Sequence, residues 1–254
     1  MKVISFLNMK GGVGKTTTSI NVASGLADRG HRVLLVDFDP QGNTTSQFMD
    51  NTDRTISDVL LGECSVKDII FKAEDKLHIV PSNLFLATTE MNIRMQTNTP
   101  QHNLLKRALK SIEKEYDYCI VDCPPIINLL TVNAIISSGL VVVPVKPDSF
   151  ALSGFNITNQ NIEQIKENFE IDIMNKILFT IVNRNKEENE IISQLRSLSN
   201  DEIFKSQIRN QAKPIIAANI NKQAVVRNYS KNCGVAEDYR EFISEIENTV
   251  IANF

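Results

Sequence analysis

The 254-residue sequence predicts an α/β fold in which helices cover both faces of a mainly parallel, twisted β-sheet. Short β-branched segments alternate with longer stretches of helical periodicity, and this alternation is typical of βαβ units. Several of the predicted strands are almost continuously apolar, as expected for strands covered on both faces. Acidic residues directly follow two of these strands, at the carboxyl ends where parallel sheets place their ligands.

The predicted strands cover residues 3–7, 33–36, 77–80, 118–121, 140–145 and 177–182. The predicted helices cover residues 15–29, 84–95, 102–114, 129–137, 152–168, 188–198 and about 235–251. Segment 44–76 fits the alternation least well, and we expect a surface insertion with short helices there. No linker-like, low-complexity or repeated segment is visible, so residues 1–254 are predicted to form a single domain.

The composition is that of a globular protein with a sizeable core, since 42% of the residues are hydrophobic and 22% are charged. The formal net charge is only −3, so binding to nucleic acid would require a local basic patch. The four cysteines form no CxxC pair, which argues against a metal or disulfide scaffold. No signal peptide and no membrane-spanning apolar run is recognisable, so we expect a cytoplasmic protein.

The segment from Asn8 to Thr17 joins the first predicted strand to the first predicted helix. Glycines let successive backbone N–H groups point at phosphate oxygens, and the helix amino terminus adds positive potential. Lys15 supplies a cation for the β- and γ-phosphates, and the Thr16 hydroxyl can ligate Mg²⁺. This context predicts a P-loop NTPase fold. The nucleotide-binding residues predicted in the loop are Lys10, Gly11, Gly12, Val13, Gly14, Lys15, Thr16 and Thr17.

The loop departs from the general motif because Met9 stands at its first glycine position and a second lysine, Lys10, follows. From the residue alone, Lys10 could equally be a solvated loop lysine or a functional one. The string KGGVGKT, however, resembles the deviant Walker A motif of the ParA/MinD superfamily of P-loop ATPases. The resemblance implies ATP and Mg²⁺ as cofactors, slow hydrolysis, and an ATP-dependent sandwich homodimer. By the same resemblance Lys10 reaches the phosphates of the partner subunit and, with Lys15, counts among the catalytic residues.

Two acidic motifs resemble those of the same superfamily. VDFDPQGN is similar to its first switch, which implies that Asp39 acts on the hydrolytic water and contacts Mg²⁺ through water. VDCPP is similar to its Walker B motif, which implies that Asp122 holds Mg²⁺ through a water. Asp37 is more ambiguous, and we favour a structural role for it. Each carboxylate alone is also compatible with a turn or a helix cap.

The resemblance continues through LLTVNAI (129–135) and VVVPVKPDSFALSGF (141–155) and covers residues 1 to about 184. Asn183 follows a predicted strand, where the superfamily often has an adenine-reading asparagine. Its amide offers a donor and an acceptor, which suits the edge of adenine. A turn-forming asparagine is the alternative.

Residues 203–236 contain basic residues but no aspartate or glutamate. A solvated face would explain this charge run, but beside ATPase motifs it is a candidate surface for DNA phosphates. The DNA-binding candidates are Lys205, Arg209, Lys213, Lys222, Arg227 and Lys231. The resemblance to ParA proteins implies non-specific binding of double-stranded DNA by the ATP-bound dimer, which would then be nucleoid-associated.

These observations predict an ATP-dependent partition ATPase for plasmid or chromosome segregation, stimulated by a ParB-type centromere-binding protein. The phosphate loop begins near residue 8, so we expect the Soj-like type without an amino-terminal helix-turn-helix. The alternative is a MinD-like positioning ATPase for membrane or protein cargo. The apolar stripe of the last helix bears glutamates on its polar side, which anionic lipid would repel, so we expect no membrane binding and a helix packed on its own domain. A small-molecule phosphoryl-transfer enzyme is a third possibility, although no acceptor site is recognisable.

Overall fold

The computed structural model of the chain describes residues 1–50, 52–96, 100–198, 202–228 and 233–253. Within these residues one sheet of eight strands has the order β3-β4-β2-β5-β1-β6-β7-β8. All neighbouring strands are parallel except β3 and β4. The strands are β1 (Lys2–Phe6), β2 (Val33–Asp37), β3 (Phe71–Glu74), β4 (Leu77–Val80), β5 (Tyr118–Asp122), β6 (Leu140–Val145), β7 (Met174–Val182) and β8 (Ile203–Arg209). The predicted mainly parallel α/β fold is confirmed.

Helices cover both faces of the sheet, as predicted. They are α1 (Lys15–Asp28), α2 (Asn43–Phe48), α3 (Ile56–Leu61), α4 (Phe85–Met95), α5 (Leu104–Lys110), α6 (Leu129–Ser137), α7 (Ala151–Phe169), α8 (Lys186–Leu198), α9 (Ala212–Ile220), α10 (Val225–Asn228) and α11 (Gly234–Asn253). A short 3₁₀ helix spans Val66–Asp68.

Alternate residues of each central strand belong to two separate hydrophobic cores, because successive side chains of a strand point to opposite faces. On β2, Leu34 and Val36 belong to the core that includes residues of α3 to α8, whereas Val33 and Leu35 belong to the core that includes residues of α1 and α9 to α11. All residues of β2, β5 and β6 are buried, which explains their nearly continuous apolar sequences. The carboxyl ends of β1, β2 and β5 therefore meet at one edge, held by a core on each side.

Several parts of the chain differ from the prediction, among them β7, which begins at Met174, and the helices α9 and α10, which were not predicted. Segments 71–74 and 203–209 are strands at the two ends of the sheet, although the sequence analysis assigned no strand to them. Segment 44–76 is not only a surface insertion with short helices, because Ile56 and Leu60 lie in the core and β3 extends the sheet. Helix α5 is shorter than predicted, since residues 111–115 form turns and the Ser111 hydroxyl donates to the Ala108 carbonyl. Serine competes in this way with helical hydrogen bonds.

Candidate nucleotide site

The loop between β1 and α1 has the backbone conformation that a phosphate cradle requires. Gly12 and Gly14 adopt φ values of 73° and 84°, which residues with a Cβ rarely adopt. Gly14 caps α1, so the first N–H groups of a 14-residue helix point into the loop. Val13 is buried, and its carbonyl accepts a hydrogen bond of 2.8 Å from the Thr180 hydroxyl of β7. These contacts fix the loop between β1, α1 and β7.

Lys15 is a buried cation at the start of α1, with a side chain that has no ion pair among the described residues. Its ammonium donates to the Lys10 carbonyl at 3.3 Å. Burial lowers the pKa of Lys15, and the nearby carboxylates of Asp122 and Asp39 oppose this shift. A buried cation beside open N–H groups is stabilised by an anion such as a phosphate.

Asp122 ends β5 and is fully buried. Thr44, the second residue of α2, donates to Asp122 Oδ2 at 2.7 Å, while Asp122 Oδ1 has no hydrogen-bond partner within the described residues. Burial raises the pKa of the Asp122 carboxyl, and the nearby hydroxyls of Thr44 and Thr16 oppose this. A free carboxylate oxygen beside a threonine hydroxyl fits a hydrated Mg²⁺, which keeps several waters and needs few protein ligands. The described residues contain no cluster of three or more metal-ligating side chains.

Asp37 lies opposite Asp122 on the neighbouring strand β2. Its Oδ2 accepts from both the backbone N–H and the hydroxyl of Thr45, each at 2.7 Å, and its Oδ1 accepts from the Asp39 N–H at 3.2 Å. Burial, and then the charge of Asp122, raises the pKa of the Asp37 carboxyl. Both oxygens are used to connect β2 to α2, which supports the structural role favoured for this residue.

Asp39 lies in the turn between β2 and α2 and lines the same cavity as Lys15. Its Oδ1 accepts from the Gln41 N–H at 2.9 Å, and its carbonyl accepts from the Ser82 hydroxyl at 2.9 Å. These bonds position the carboxylate beside the phosphate loop. The roles predicted for Asp39 and Asp122 remain predictions, but the structure brings both side chains to the site.

Lys10 points away from the loop. Its ammonium forms an ion pair of 2.5 Å with Asp148, which follows β6, and lies 5.7 Å from the centre of the Phe150 ring. Its backbone N–H donates to Asn8 Oδ1, and Asn8 Nδ2 donates to the Pro144 carbonyl. The sequence analysis did not single out Asp148, although the residue lies within the family string 141–155.

The phosphate loop forms one end of a cavity of 510 Å³. The other end is lined by the ends of β7 and β8 and by α9, with four isoleucines contributing to its wall. They are Ile181, Ile208, Ile215 and Ile216. Ile181 has φ 57°, an unfavourable conformation for a β-branched residue, and such strain is concentrated at functional sites. The cavity therefore combines the polar phosphate loop with four isoleucines, beside which Arg209, Asn210, Gln211 and Tyr239 also contribute to the wall.

Asn183 does not line this cavity. Its amide nitrogen donates to Glu188 at 2.6 Å, and its amide oxygen accepts from Asn210 at 2.8 Å. Asn210, directly after β8, does line the cavity. The adenine-reading role of Asn183 stays a prediction, and Asn210 is a residue that the sequence analysis missed.

The basic segment 203–236 is not a free positive surface, because acidic residues from elsewhere in the chain pair with half of its candidates. Arg209 forms a bidentate pair with Asp238, with distances of 2.6 and 2.7 Å, and these bonds raise its pKa. Arg227 pairs with Asp28 and Glu74.

Lys222 is also paired, with Asp50, at 2.5 Å. Lys205 and Lys213 are exposed and form no ion pair within the described ranges, while Lys231 lies outside the described residues. Of the six DNA-binding candidates, the structure therefore leaves Lys205 and Lys213 as exposed, unpaired cations.

Helix α11 packs on its own domain, as predicted. Phe242, Ile243, Ile246 and Val250 are completely buried, and Phe242 packs edge-on against Phe204 of β8 with ring centres 5.0 Å apart. Among the helices of the described ranges, none has the length and apolarity needed to cross a membrane.

Comparisons with known proteins agree with this geometry. Residues 1–177 match a family model described as an AAA domain. The chain is 34% identical over 251 residues to the sporulation initiation inhibitor protein Soj of Bacillus subtilis (strain 168), covering 96% of this chain and 98% of that protein.

Two solved structures share the fold. Cobyrinic acid a,c-diamide synthase from Mycobacterium smegmatis, with a bound ATP analogue and magnesium, has a TM-score of 0.80 and 25% identity, covering 98% of this chain and 95% of that chain. A putative plasmid partition protein from Borrelia burgdorferi bound to AMPPNP has a TM-score of 0.83 and 21% identity, covering 98% and 99%. The fold thus occurs in proteins with different functions. The assignment of this chain to a family therefore rests on its sequence relatives and on its site, not on the fold. On its family model, its identity to Soj and its deviant phosphate loop, the chain belongs to the ParA/Soj family of chromosome-partitioning ATPases.

Proposed function

We propose that this ATPase binds ATP and Mg²⁺ in the cavity beside Lys15, dimerises in that state, and binds double-stranded DNA without sequence specificity. The observation that supports this proposal most directly is the buried ammonium of Lys15. It forms no ion pair among the described residues and lines the cavity beside the glycines of the phosphate loop. A triphosphate supplies the missing negative charge. Lys15 and the N–H groups of the loop bind its oxygens.

The roles of the other loop residues follow from their positions. Thr16 and Asp122 would hold Mg²⁺, Asp122 through a water bound to its free Oδ1. Bound there, Mg²⁺ would neutralise charge on the β- and γ-phosphates. Asp39 would orient the attacking water from its place in the cavity wall.

Exposed apolar side chains around Lys10 support a homodimer that covers the phosphate loop. Met9, Ile126, Phe150 and Ile157 are 37%, 52%, 68% and 50% exposed. Asn161 Nδ2 lies 3.9 Å from Met9 Sδ and donates to the Ile157 carbonyl, and the Phe150 ring lies 5.7 Å from the Lys10 ammonium, so Met9, Phe150 and Ile157 lie near the loop. Ile126 follows Pro125, which lines the nucleotide cavity. Burial of such a surface against a second copy would release Lys10 from Asp148 toward the partner's phosphates.

For DNA, we propose that Lys205 and Lys213 contribute phosphate contacts, with Lys231 as a further candidate. The dimer would be cytoplasmic and nucleoid-associated, and a ParB-type centromere-binding protein would stimulate hydrolysis and release it. The related Soj and ParA proteins are named for sporulation inhibition and chromosome partitioning, which supports this role.

The test is binding to a non-specific duplex in a salt series, with ATP–Mg²⁺ and with ADP–Mg²⁺. We expect ATP-dependent binding, and the double variant Lys205→Ala/Lys213→Ala should reduce the slope of log K against log salt by about 0.9 per lost contact. The matched control is Lys106→Ala/Lys110→Ala, which removes the same charge from exposed positions of α5. Equal slopes for the two double variants would exclude these lysines from the interface. Absence of ATP-dependent binding in the wild type would refute the DNA role.

A further inference from the structure

Helix α5 and the turns after it present four cations that no carboxylate of the described residues neutralises. Lys106, Arg107 and Lys110 are exposed and form no ion pair within the described ranges. Lys114 is exposed in the turns that follow the helix, and its ammonium is unpaired in the same sense. We propose that these four residues, called the α5 surface below, bind an acidic segment of another protein that also inserts apolar side chains beside the helix.

The charges of the α5 surface do not stabilise the helix itself. Lys106 is the third residue of α5, where the positive end of the helix dipole disfavours a cation. It lies one turn from Lys110, and like charges at this spacing destabilise a helix. The helix is attached to the domain through Leu105 and Leu109, which are buried. A carboxylate bound between the two lysines would relieve their repulsion.

The acidic residues near the α5 surface are mostly paired with other cations. Glu115 is paired with Lys67 at 2.5 Å, and Asp117 is paired with Arg32 at 2.7 Å. Glu113 is exposed and forms no ion pair within the described ranges. Along residues 106–114 the four cations therefore face a single carboxylate. Such an excess of positive charge attracts a negatively charged partner and selects against a basic one.

Two clefts beside α5 favour a protein segment over a nucleic acid. The larger cleft, of 430 Å³, lies between α3, α4 and α5 and is lined by Arg107. The smaller cleft, of 270 Å³, is lined by Lys106 and Lys110. Apolar side chains contribute to both walls, among them Leu61, Ile93 and Leu104 in the larger and Val3 and Leu109 in the smaller. DNA phosphates would neutralise the cations but leave both clefts to water, whereas a protein segment supplies carboxylates and apolar side chains together.

The larger cleft also fixes the direction in which a segment binds. Its volume lies within the range of about 300–1,000 Å³ that is typical of ligand pockets, so it can hold a large apolar side chain. Its α3 side carries the opposite charge, because Glu63, between two lining residues, is exposed. The carboxylates of a bound segment are attracted by α5 and repelled by Glu63. They therefore lie over α5, with the apolar anchor in the cleft.

The α5 surface and helix α9 lie on opposite faces of the sheet. Leu105 and Leu109 of α5 belong to one core, whereas Ala218 of α9 belongs to the other. Lys213, a DNA-binding candidate, is in α9. Binding of an acidic partner at α5 therefore leaves α9 accessible and does not depend on the proposed binding of DNA.

The experiment measures binding of short fluorescent peptides to the full chain, without nucleotide, by fluorescence anisotropy. Acidic and apolar positions are varied independently, so each peptide that combines them has one counterpart with amides for carboxylates and another with serines for apolar residues. The combined peptides should bind more tightly than either counterpart. Arg107→Gln/Lys110→Gln should weaken them about three- to tenfold, the value of two exposed ion pairs. The matched control Lys205→Gln/Lys213→Gln removes two exposed, unpaired cations elsewhere and should leave peptide affinity unchanged.

The inference is overturned if no combined peptide binds, or if the counterparts bind equally well. Equal affinities in Arg107→Gln/Lys110→Gln and in the control would overturn it too. If the first variant does not fold, Leu61→Gln decides the matter, because this half-buried residue lines the larger cleft. It should weaken the combined peptides but not their serine counterparts, and equal weakening of both would refute an apolar anchor. Duplex DNA should not compete with the peptides, and competition lost in Arg107→Gln/Lys110→Gln would assign the α5 surface to nucleic acid instead.

Discussion

Arg227 is the basic residue for which the structure changes the interpretation most. It lies in α10 and pairs with Asp28 at the end of α1, with Nε and Oδ1 2.7 Å apart, and with Glu74 of β3. The Arg227 side chain is 18% exposed, and those of Asp28 and Glu74 are 45% and 20% exposed. The residue therefore connects three elements rather than offering a free charge to DNA. Arg227→Ala should destabilise the fold.

The size of the effect follows from the exposure of the three side chains. Removing one partner of a fully buried ion pair costs roughly 3–5 kcal/mol, whereas an exposed pair contributes less than about 1 kcal/mol. The Arg227 cluster lies between these limits, because Asp28 remains half-solvated when the arginine is removed. We expect a loss of about 2 kcal/mol, which corresponds to a fall in melting temperature of about 4–8 °C for a chain of this size.

The assay is differential scanning calorimetry without nucleotide. Lys222→Ala is the control, because it removes another ion-paired cation of the same segment whose partner, Asp50, is 85% exposed. It should lower the melting temperature by less than about 2 °C. If Arg227→Ala melts like the control, the assignment of Arg227 to a structural role is wrong, and Arg227 returns to the list of DNA-contact candidates. Any loss of DNA binding in Arg227→Ala has to be measured on protein shown to be folded.

Three further predictions concern helix packing, surface charge and the loop lysine. Gly25→Ala should destabilise the protein by about 1–3 kcal/mol in urea denaturation, because the new Cβ would overlap Ile243 Cδ1 where α1 meets α11. Unchanged stability would show that α11 moves aside without cost. Hydrogen bonds from Arg32 lower the pKa of Asp117 to about 2, so the pair stabilises the fold above about pH 4, and this contribution is lost as the pH falls toward 2. In acid titrations followed by circular dichroism, Arg32→Ala should remove this part of the pH dependence, which is small for so exposed a pair, and an identical acid profile would contradict it. Asp148→Asn should free the loop lysine and strengthen ATP-dependent dimerisation up to about fivefold in analytical ultracentrifugation, and weaker dimerisation would instead assign Asp148 to the interface.

The central part of the fold could be predicted from local sequence. The strands at residues 77–80 and 140–145 have the predicted bounds, because short, mainly apolar and β-branched runs between polar segments leave a parallel strand few alternatives. The edge strands could not be predicted in the same way. Residues 203–209 have only three buried side chains among seven, and their strand character comes from pairing with β7 and from the packing of α11. Segment 71–74 is half exposed and, among the described strands, pairs only with β4.

In the candidate site, too, local sequence predicted some residues, whereas others are brought in only by tertiary contacts. The phosphate loop and the two acidic motifs were predictable because each function depends on residues that are adjacent in sequence. The residues that complete the site come from distant segments: Thr44 reaches Asp122 across 78 positions, and Asp148 reaches Lys10 across 138. The family string 141–155 could have directed attention to Asp148, but nothing in the sequence shows which cation it meets.

By itself, the sequence determined the fold class, the phosphate loop and the membership of a P-loop ATPase superfamily, because strand periodicity and the geometry of a glycine-rich loop are local properties of the chain. Only the tertiary structure decided which charges are free. The run of basic residues at 203–236 has no acidic residue of its own, yet Arg209, Lys222 and Arg227 meet carboxylates supplied by other segments. It also placed Asn210, rather than Asn183, in the cavity wall. Ion pairing and the direction of a side-chain amide depend on distances between residues far apart in the chain, and those distances exist only after the sheet and its helices have packed.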